Sequence, residues 1–170
     1  MQLNVLTHNV GVPNSHDIGI YVERGGYKAV SKALVDLQPR DIVQLVLDAG
    51  LRGRGGAGFP TGRKWMFLPS DVHPRYLVCN ADEGEPGTFK DRVLMEHDPH
   101  GVIEGIIISS YACEVEHAFI YVRGEYDLSY SRLRRATDQA YERGYLGQDI
   151  LGSGYNLELS ILRGAGAYIC

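Results

Sequence analysis

Apolar residues recur at helical spacing in the first third of the chain. Between Tyr27 and Leu37 they fall three and four residues apart, which predicts a helix with one buried face. A second helix is predicted to begin beside Pro39 and to stop at Gly50, because proline suits a first helical turn and glycine suits a C-terminal cap. Residues 1–25 are weakly patterned and are predicted to form an N-terminal arm.

The second half of the chain alternates strand-forming runs with helical patterns. Strand-forming residues predict three strands, at residues 76–79, 118–122 and 157–162. Apolar residues at helical spacing fill the intervals, most clearly over residues 102–112 and 128–141. This order is typical of parallel sheets with right-handed crossovers. We therefore predict an α/β fold in which a parallel sheet is flanked by helices.

A further helix is predicted to begin near residue 88. Thr88 is followed three residues later by Asp91, which is the spacing of a capping box. The apolar residues Val93 and Leu94 come next, so the two polar side chains are expected to satisfy the first N–H groups of this helix.

Composition limits the class of protein. With 170 residues, of which 44% are hydrophobic, the chain is long enough to bury a core and is expected to form one domain. The formal net charge of -4 argues against electrostatic binding of nucleic acid. The sequence contains no run of about 20 apolar residues and no basic leader, so an intracellular location is expected.

Cysteine and histidine give little support for a metal centre. Cys79, Cys113 and Cys170 are tens of residues apart, whereas an iron–sulfur cluster needs about four thiolates. Reduced cysteines that pack as small hydrophobic residues are the simpler interpretation. His97 and His100 flank an Asp-Pro pair that a turn at a helix end explains better than a metal. No metal site is predicted.

A cationic, glycine-rich segment is the first candidate for binding. Residues 51–65 read LRGRGGAGFPTGRKW and contain four cations and no acid. Glycines let backbone amides turn inward as a nest for an anion, and phosphate is the expected guest. Gly53, Gly55 and Gly58 match the dinucleotide fingerprint, but that motif follows a strand, and here the preceding segment looks helical. A flexible linker is the alternative, although the aromatic residues at the end of the segment favour burial or stacking.

An acidic segment after the first predicted strand is the second candidate. Residues 80–87 read NADEGEPG and place three carboxylates and one amide within six residues. Ligands of such sheets sit beyond the carboxyl ends of the strands, where these groups could accept hydrogen bonds from ribityl or sugar hydroxyls. The alternative is a solvated acidic turn. Together, the two segments predict a site for a phosphorylated, hydroxyl-rich, planar ligand such as a nucleotide or a flavin.

Four motifs, in this order, resemble one known family. They are GLRGRGGAGFPTG at residues 50–62, NADE and EPG within residues 80–87, YVRGEY at residues 121–126 and RGAGAYIC at residues 163–170. The chain resembles the NADH-binding flavoprotein subunit of respiratory complex I, a family shared with the diaphorase subunits of NAD-linked hydrogenases and formate dehydrogenases. The resemblance begins near Gly26 and implies a Rossmann-like FMN- and NADH-binding domain over residues 26–170.

The resemblance also implies a reaction and a set of binding residues. NADH would pass hydride to FMN, which would release electrons singly to iron–sulfur clusters toward quinone, with no side chain acting as acid or base. The flavin would be held by Gly53, Arg54, Gly55, Gly56 and Gly58. Lys64 would bind its phosphate or neighbouring polar groups. The ribityl chain and the edge of the ring would be held by Asn80, Asp82 and Glu83. NADH would stack its adenine on Phe59 and Phe67 and place its nicotinamide end at Glu85, and Tyr168 would approach the flavin.

The partners implied are a thioredoxin-like two-iron subunit and a large multi-cluster iron–sulfur subunit, on the cytoplasmic face of the inner membrane if the complex is complex I. Family members continue past the cysteine matching Cys170 with further flavin contacts, a ubiquitin-like segment and the ligands of a four-iron cluster. The chain is therefore expected to be truncated on its C-terminal side or completed by a neighbouring chain. Three alternatives stay open: a non-catalytic structural subunit of the same ancestry, a diaphorase subunit of an NAD-linked hydrogenase or formate dehydrogenase, and a small Rossmann-type nucleotide-binding domain.

Overall fold

A computed structural model describes residues 5–168, in which three parallel strands pack against helices. The strands are β1 (Tyr76–Ala81), β2 (His117–Val122) and β3 (Glu158–Arg163), and they lie side by side in that order. β2 pairs in parallel with both neighbours. The prediction of an α/β fold with a parallel sheet and flanking helices is confirmed. Cys170, expected to be structural, lies outside the described residues.

Helices precede the sheet and connect its strands. They are α1 (Ile18–Glu23), α2 (Lys28–Asp36), α3 (Pro39–Asp48), α4 (Thr61–Trp65), α5 (Lys90–His97), α6 (Pro99–Ala112) and α7 (Asp127–Glu142), with a short 3-10 helix at Ile150–Gly152. α5 and α6 join β1 to β2, and α7 joins β2 to β3. Within residues 5–168, no helix has both the length and the apolar composition that crossing a bilayer requires.

One core holds the sheet and most of the helices together. Ile103 and Ile107 of α6 and Leu133 of α7 are fully buried beside Ile120 of β2. The segment predicted as an N-terminal arm contributes α1, and its Tyr21 is buried in the same core. Burial of apolar side chains from α1, α6, α7 and the sheet is therefore the main force that stabilises the described fold.

The two faces of the sheet differ in their burial. On the helix-covered face, Ala118, Ile120 and Val122 alternate along β2 and are almost completely buried. On the other face, Tyr76 is 60% exposed and Val78 is 65% exposed. Because parallel sheets are normally covered on both faces, the described residues present an apolar sheet surface that they leave open.

The first turn of α2 takes its cap from a residue far along the chain. Tyr27 occupies the N-cap position with left-handed backbone (φ 61°), and its own side chain makes no capping hydrogen bond. Glu104, in α6, accepts the Tyr27 N–H at 3.0 Å and also accepts the hydroxyl of Tyr21. A single carboxylate therefore ties α1 and α2 to α6.

The predicted capping box of Thr88 and Asp91 is wrong. α5 begins at Lys90, with Phe89 at the N-cap position and no capping hydrogen bond from its side chain. The N–H groups of Asp91 and Arg92 instead donate to the Glu83 carboxylate, at 2.8 and 3.1 Å. The loop after β1 folds back over the start of α5, so a buried acid takes the place that local spacing assigned to Thr88.

His100 is the most buried titratable side chain of α6. Its Nδ1 lies 2.9 Å from the Tyr27 hydroxyl oxygen, its Nε2 lies 3.1 Å from Gln139 Oε1, and the side chain is 0% exposed. Burial lowers the pKa of His100 to about 4, from an ordinary value of about 6.5. The folded chain therefore holds His100 neutral at mildly acidic pH.

Replacing Glu104 tests the long-range cap of α2. Glu104→Ala leaves the Tyr27 N–H and the Tyr21 hydroxyl without their acceptor, and we expect the free energy of unfolding to fall by about 2–3 kcal/mol. Urea unfolding followed by circular dichroism measures this loss. Glu142→Ala, at an exposed position in α7, is the control and should change stability by less than about 0.5 kcal/mol. Equal stability of the two variants would contradict the assignment.

Stability should fall as pH decreases from about 6.5 toward about 4 because of His100. In this window the unfolded chain binds a proton at His100 that the folded chain does not bind. The contribution of His100 to the free energy of unfolding is therefore complete above pH 6.5 and is lost as the pH falls below it. The loss attributable to His100 should reach roughly 2–3 kcal/mol. Urea unfolding at a series of pH values should show a shallower slope for His100→Gln, whereas His117→Gln, at an exposed sheet position, should keep the wild-type slope.

Candidate cofactor site

The glycine-rich segment forms a closed loop between α3 and α4. Gly53 N–H donates to the Phe59 carbonyl at 3.0 Å, and Thr61 N–H donates to the Leu51 carbonyl at 2.8 Å. The loop is therefore pinned at its base. Gly58 has a φ of +63°, which a glycine adopts without strain. The helix expected before the loop is present, so the loop is not the strand-to-helix turn of a dinucleotide fingerprint.

Positive charge is concentrated on and beside this loop. Arg52 donates to the Gly58 carbonyl at 3.2 Å and so braces the turn. Arg54, Arg63 and Lys64 are exposed and take part in none of the ion pairs formed among residues 5–168. Cations without acidic partners leave a net positive potential, which favours an anionic ligand.

A cavity of about 790 Å³ lies between the glycine loop, the outer edge of β1 and α6. Its walls include Leu77 and Cys79 from β1 and Val102 and Ile106 from α6. Of the residues predicted to bind the cofactors, those that line it are Gly53, Gly55, Gly56, Gly58, Phe59 and Lys64. This volume is in the range of small-molecule sites, and its apolar walls with a cationic rim suit a planar ligand that carries phosphate.

Both described cysteines face this cavity as neutral thiols. Burial raises the pKa of the Cys79 thiol, and burial also raises the pKa of Cys113 to about 11. Because a thiol needs to be deprotonated to act as a nucleophile or a metal ligand, both cysteines behave as apolar wall at neutral pH. The interpretation of these residues as small packing side chains agrees with their surroundings.

Two aromatic rings stand at the edge of the glycine loop. The centroids of Phe59 and Phe67 are 5.9 Å apart and their planes are tilted by 48°. Phe59 is 43% exposed and Phe67 is 68% exposed, so each ring keeps an accessible surface. Exposed aromatic rings next to a cationic loop are available for stacking on a purine.

The acidic segment divides into one buried carboxylate and several outward groups. Glu83 is only 5% exposed, and its carboxylate is engaged at the start of α5. Asn80 and Glu85 are exposed and Asp82 is half-buried. Asn80 Oδ1 accepts the Asp82 N–H at 3.0 Å, which shapes the first turn of the segment. The side chains that stay available to a ligand are therefore those of Asn80, Asp82 and Glu85.

The segment after β3 crosses the carboxyl ends of β2 and β1. A Cβ on Gly124 would lie 2.5 Å from the Gly164 carbonyl oxygen, so the loops after β2 and β3 are in direct backbone contact. Arg163 donates to the Gly124 carbonyl and secures this crossing. The Tyr168 hydroxyl then donates to Glu85 at 2.7 Å. Two predicted binding residues that are 83 positions apart in sequence thus become neighbours.

The structure therefore brings most of the predicted residues together in two groups, and it leaves Arg54 and Phe67 outside the lining of the cavity. One lines the cavity beside β1, and the other, with Asp82, Glu85 and Tyr168, surrounds the loop after β1. The cavity reaches Cys79, which immediately precedes the acidic segment, but the carboxylates do not line it. Residues that sequence reasoning did not single out are Arg123 and Tyr126, both of which contact Glu83. Their position after β2 is the signal that could have identified them.

The sequence of the chain is similar to those of known proteins. The family model of the Nuo51 FMN-binding domain matches residues 46–170. An NADH-quinone oxidoreductase subunit of Rhizobium meliloti is 56% identical over 98% of this chain and 40% of its own length. Its counterpart in the NADH-quinone oxidoreductase of Aquifex aeolicus is 55% identical over 99% of this chain and 39% of its own length. The chain thus spans about two fifths of these relatives.

A solved structure is also similar. The H2-reduced crystal structure of an NAD+-reducing NiFe hydrogenase aligns with a TM-score of 0.74 and 40% sequence identity. The alignment covers 89% of this chain and 26% of the hydrogenase chain. This likeness agrees with the resemblance to both complex I flavoproteins and hydrogenase diaphorases.

Replacing Gly62 tests how α4 is held beside the glycine loop. A Cβ on Gly62 would lie 2.7 Å from the Leu47 backbone nitrogen, so Gly62→Ala should push α4 away from α3 and lower the free energy of unfolding by roughly 1–3 kcal/mol. Gly105→Ala is the matched control, because its Cβ would meet no atom within 4 Å. Urea unfolding should show no loss for Gly105→Ala. A stable Gly62→Ala variant would contradict the close crossing.

Proposed function

The chain belongs to the Nuo51 FMN-binding domain family, and on that premise we propose that it forms the N-terminal part of the FMN- and NADH-binding unit of an NADH dehydrogenase flavoprotein subunit. When bound, FMN would supply the redox chemistry, taking hydride from NADH and releasing electrons singly to iron–sulfur clusters toward quinone. The side chains and backbone of this chain would bind and orient the two nucleotides.

The cavity beside β1 is the observation that carries the proposal. Gly55, Gly56 and Gly58 have no atom within 4 Å of an added Cβ, so a ligand can approach their backbone closely. Lys64 lines the same cavity without an acidic partner among the described residues. A glycine cradle with cations fits the phosphate of FMN, and the apolar wall from β1 and α6 fits a flat ring system. We assign the flavin contacts to Gly53, Arg54, Gly55, Gly56, Gly58 and Lys64.

The acidic segment would complete the flavin site with hydrogen-bond acceptors. Asn80 and Asp82 follow directly from the cavity wall at Cys79 and present polar groups outward. Carboxylate and amide oxygens accept hydrogen bonds from ribityl hydroxyls. The Glu83 side chain is already engaged with α5, so its contribution would be to hold the segment in place.

NADH would bind across the outer part of the same region. Phe59 and Phe67 offer exposed rings on which the adenine would stack. Glu85 is exposed and is oriented by the Tyr168 hydroxyl, so its second carboxylate oxygen is available to the nicotinamide end. Tyr168, from the segment after β3, would also approach the flavin.

A diaphorase subunit of an NAD-linked hydrogenase is the second candidate. The TM-score of 0.74 and 40% identity to an NAD+-reducing hydrogenase favour it. Both candidates would use the same residues in the same way, and they differ in the partner proteins that receive the electrons. For either candidate, we propose an iron–sulfur acceptor, comprising a thioredoxin-like two-iron subunit and a larger multi-cluster subunit in complex I. If the complex is complex I, the location would be peripheral, on the cytoplasmic face of the inner membrane.

Flavin titration tests the proposed site directly. FMN fluorescence should be quenched on addition of the purified chain, and Lys64→Ala and Arg54→Ala should each raise the Kd for FMN about tenfold, because each removes a cation that contacts phosphate. Addition of NADH to the FMN complex under argon should bleach the flavin absorbance band.

Two controls make the flavin titration specific. Lys32→Ala removes an exposed cation of α2 and should leave the Kd for FMN unchanged. Riboflavin, which lacks the phosphate, should bind more weakly than FMN and should be insensitive to Lys64→Ala. Failure of the wild-type chain to quench FMN would favour the non-catalytic structural subunit. Equal Kd values for riboflavin and FMN would contradict the assignment of the cationic loop to phosphate.

A further inference from the structure

Glu83 is the most heavily hydrogen-bonded residue of the acidic segment. One carboxylate oxygen accepts Asp91 N–H at 2.8 Å, and the other accepts Arg92 N–H at 3.1 Å and the Tyr126 hydroxyl at 3.2 Å. Its backbone carbonyl accepts Arg123 Nη1 at 3.0 Å. The segment is therefore tied both to the start of α5 and to the loop that leads into α7.

Among residues 5–168, Tyr126 supplies the only side-chain hydrogen bond to this carboxylate, and Lys90 Nζ forms an ion pair with it at 3.9 Å. Tyr126 is 9% exposed, and the guanidinium carbons of Arg92 and Arg123 each lie 5.4 Å from the centroid of its ring. These cation–π contacts and the burial of the ring fix where the hydroxyl is directed. A hydrogen bond from a well-held donor to a buried carboxylate fixes the carboxylate in turn.

We propose that Tyr126 is a positioning residue for the proposed nucleotide site, which acts through Glu83 to hold the acidic segment in place. Glu83 lies between Asp82 and Glu85 in the sequence. A change in the backbone conformation at Glu83 would therefore displace both of these acids. Within the described residues, the Tyr126 hydroxyl donates to Glu83 and to neither of these acids. Its effect on a ligand is therefore indirect, and it depends on the Glu83 carboxylate.

The arrangement separates anchoring from binding within one short segment. A carboxylate that accepts three hydrogen bonds is held in place, because moving it would leave each donor without a charged acceptor. The neighbouring acids Asp82 and Glu85 can then repel each other without the segment rearranging. Tyr126 lies in the loop that connects β2 to α7. The same loop contains Gly124, which packs against the segment after β3. Tyr168 approaches Glu85 from that segment.

Amide hydrogen exchange, read by NMR on the ligand-free chain, tests the anchor without relying on flavin. In Tyr126→Phe, the Asp91 and Arg92 amides should exchange about tenfold faster, whereas the Ile120 amide of β2 should be unchanged. A loss of general stability would instead accelerate exchange throughout the core. Tyr130→Phe is the matched control, because the Tyr130 ring lies against Arg163 rather than Glu83 and the variant should exchange as wild type.

A double-mutant cycle tests whether Tyr126 acts through Glu83. Glu83→Ala alone should also accelerate exchange of Asp91 and Arg92, since it removes the side chain that accepts both hydrogen bonds. Adding Tyr126→Phe to Glu83→Ala should then change exchange less than twofold, because the side chain through which the hydroxyl acts is absent. A full tenfold effect in that background, or wild-type exchange in Tyr126→Phe alone, would overturn the proposal.

Ligand binding links the anchor to the function on which this proposal rests. In Tyr126→Phe, the Kd for FMN should rise about fivefold and the absorption maximum of bound flavin should shift, and neither change should occur in Tyr130→Phe. If the wild-type chain binds no FMN, the proposed function fails, while the exchange experiment still decides whether Tyr126 anchors the segment. If FMN binds Tyr126→Phe with wild-type affinity and spectrum, the positioning role is refuted and the proposed function stands.

Discussion

The N–H groups at the starts of two helices need hydrogen-bond acceptors that the helices do not supply themselves, and this need constrains the fold. α2 and α5 both begin without a side-chain cap at the N-cap position, and an unpaired N–H buried at a helix start costs free energy. Two buried or half-buried acids from outside these helix starts supply the acceptors: Glu104, 77 residues from Tyr27, for α2, and Glu83, eight residues before Asp91, for α5. Each carboxylate also accepts a tyrosine hydroxyl, so each joins a third element to the pair. These two junctions tie α1 and α2 to α6, and the loop after β1 to α5 and to the start of α7.

Placement of the candidate site follows from the same junctions. Because Glu83 is held inward, the loop after β1 presents its remaining acids outward, next to the cavity wall that ends at Cys79. The loop after β2 lies against the segment after β3 at Gly124, and that contact brings Tyr168 to Glu85. All three carboxyl ends of the parallel strands therefore contribute to one edge of the sheet, which is where α/β proteins place their ligands. The cationic loop reaches this region from a different direction, carried by α4 against α3.

Charge is separated across the region in a way that suits a ligand with two chemically different ends. The segment around Lys64 carries cations with no acidic partner among residues 5–168, and the segment around Glu85 carries exposed acids. A surface that were only structural would gain by pairing these charges with each other. The cavity beside the cationic segment has an apolar wall, which includes Cys79 and Cys113, and burial keeps both thiols neutral. The cationic segment suits the phosphate of FMN, the apolar wall suits its ring system, and the acids suit the ribityl hydroxyls that join the ring to the phosphate.

Local sequence patterns determined the elements, and tertiary contacts determined which residues face the site. Pro39, Gly50 and the three strand-forming runs predicted a helix and the parallel sheet correctly, because propensity and periodicity act over a few residues. The glycine and aromatic residues of the cationic loop were identified for the same reason. Sequence could not show that Glu83, one acid among three, turns inward, since its partners at Arg92 and Tyr126 are brought to it only by folding. The spacing of Thr88 and Asp91 failed as a cap because a carboxylate with better geometry arrived from outside the local segment.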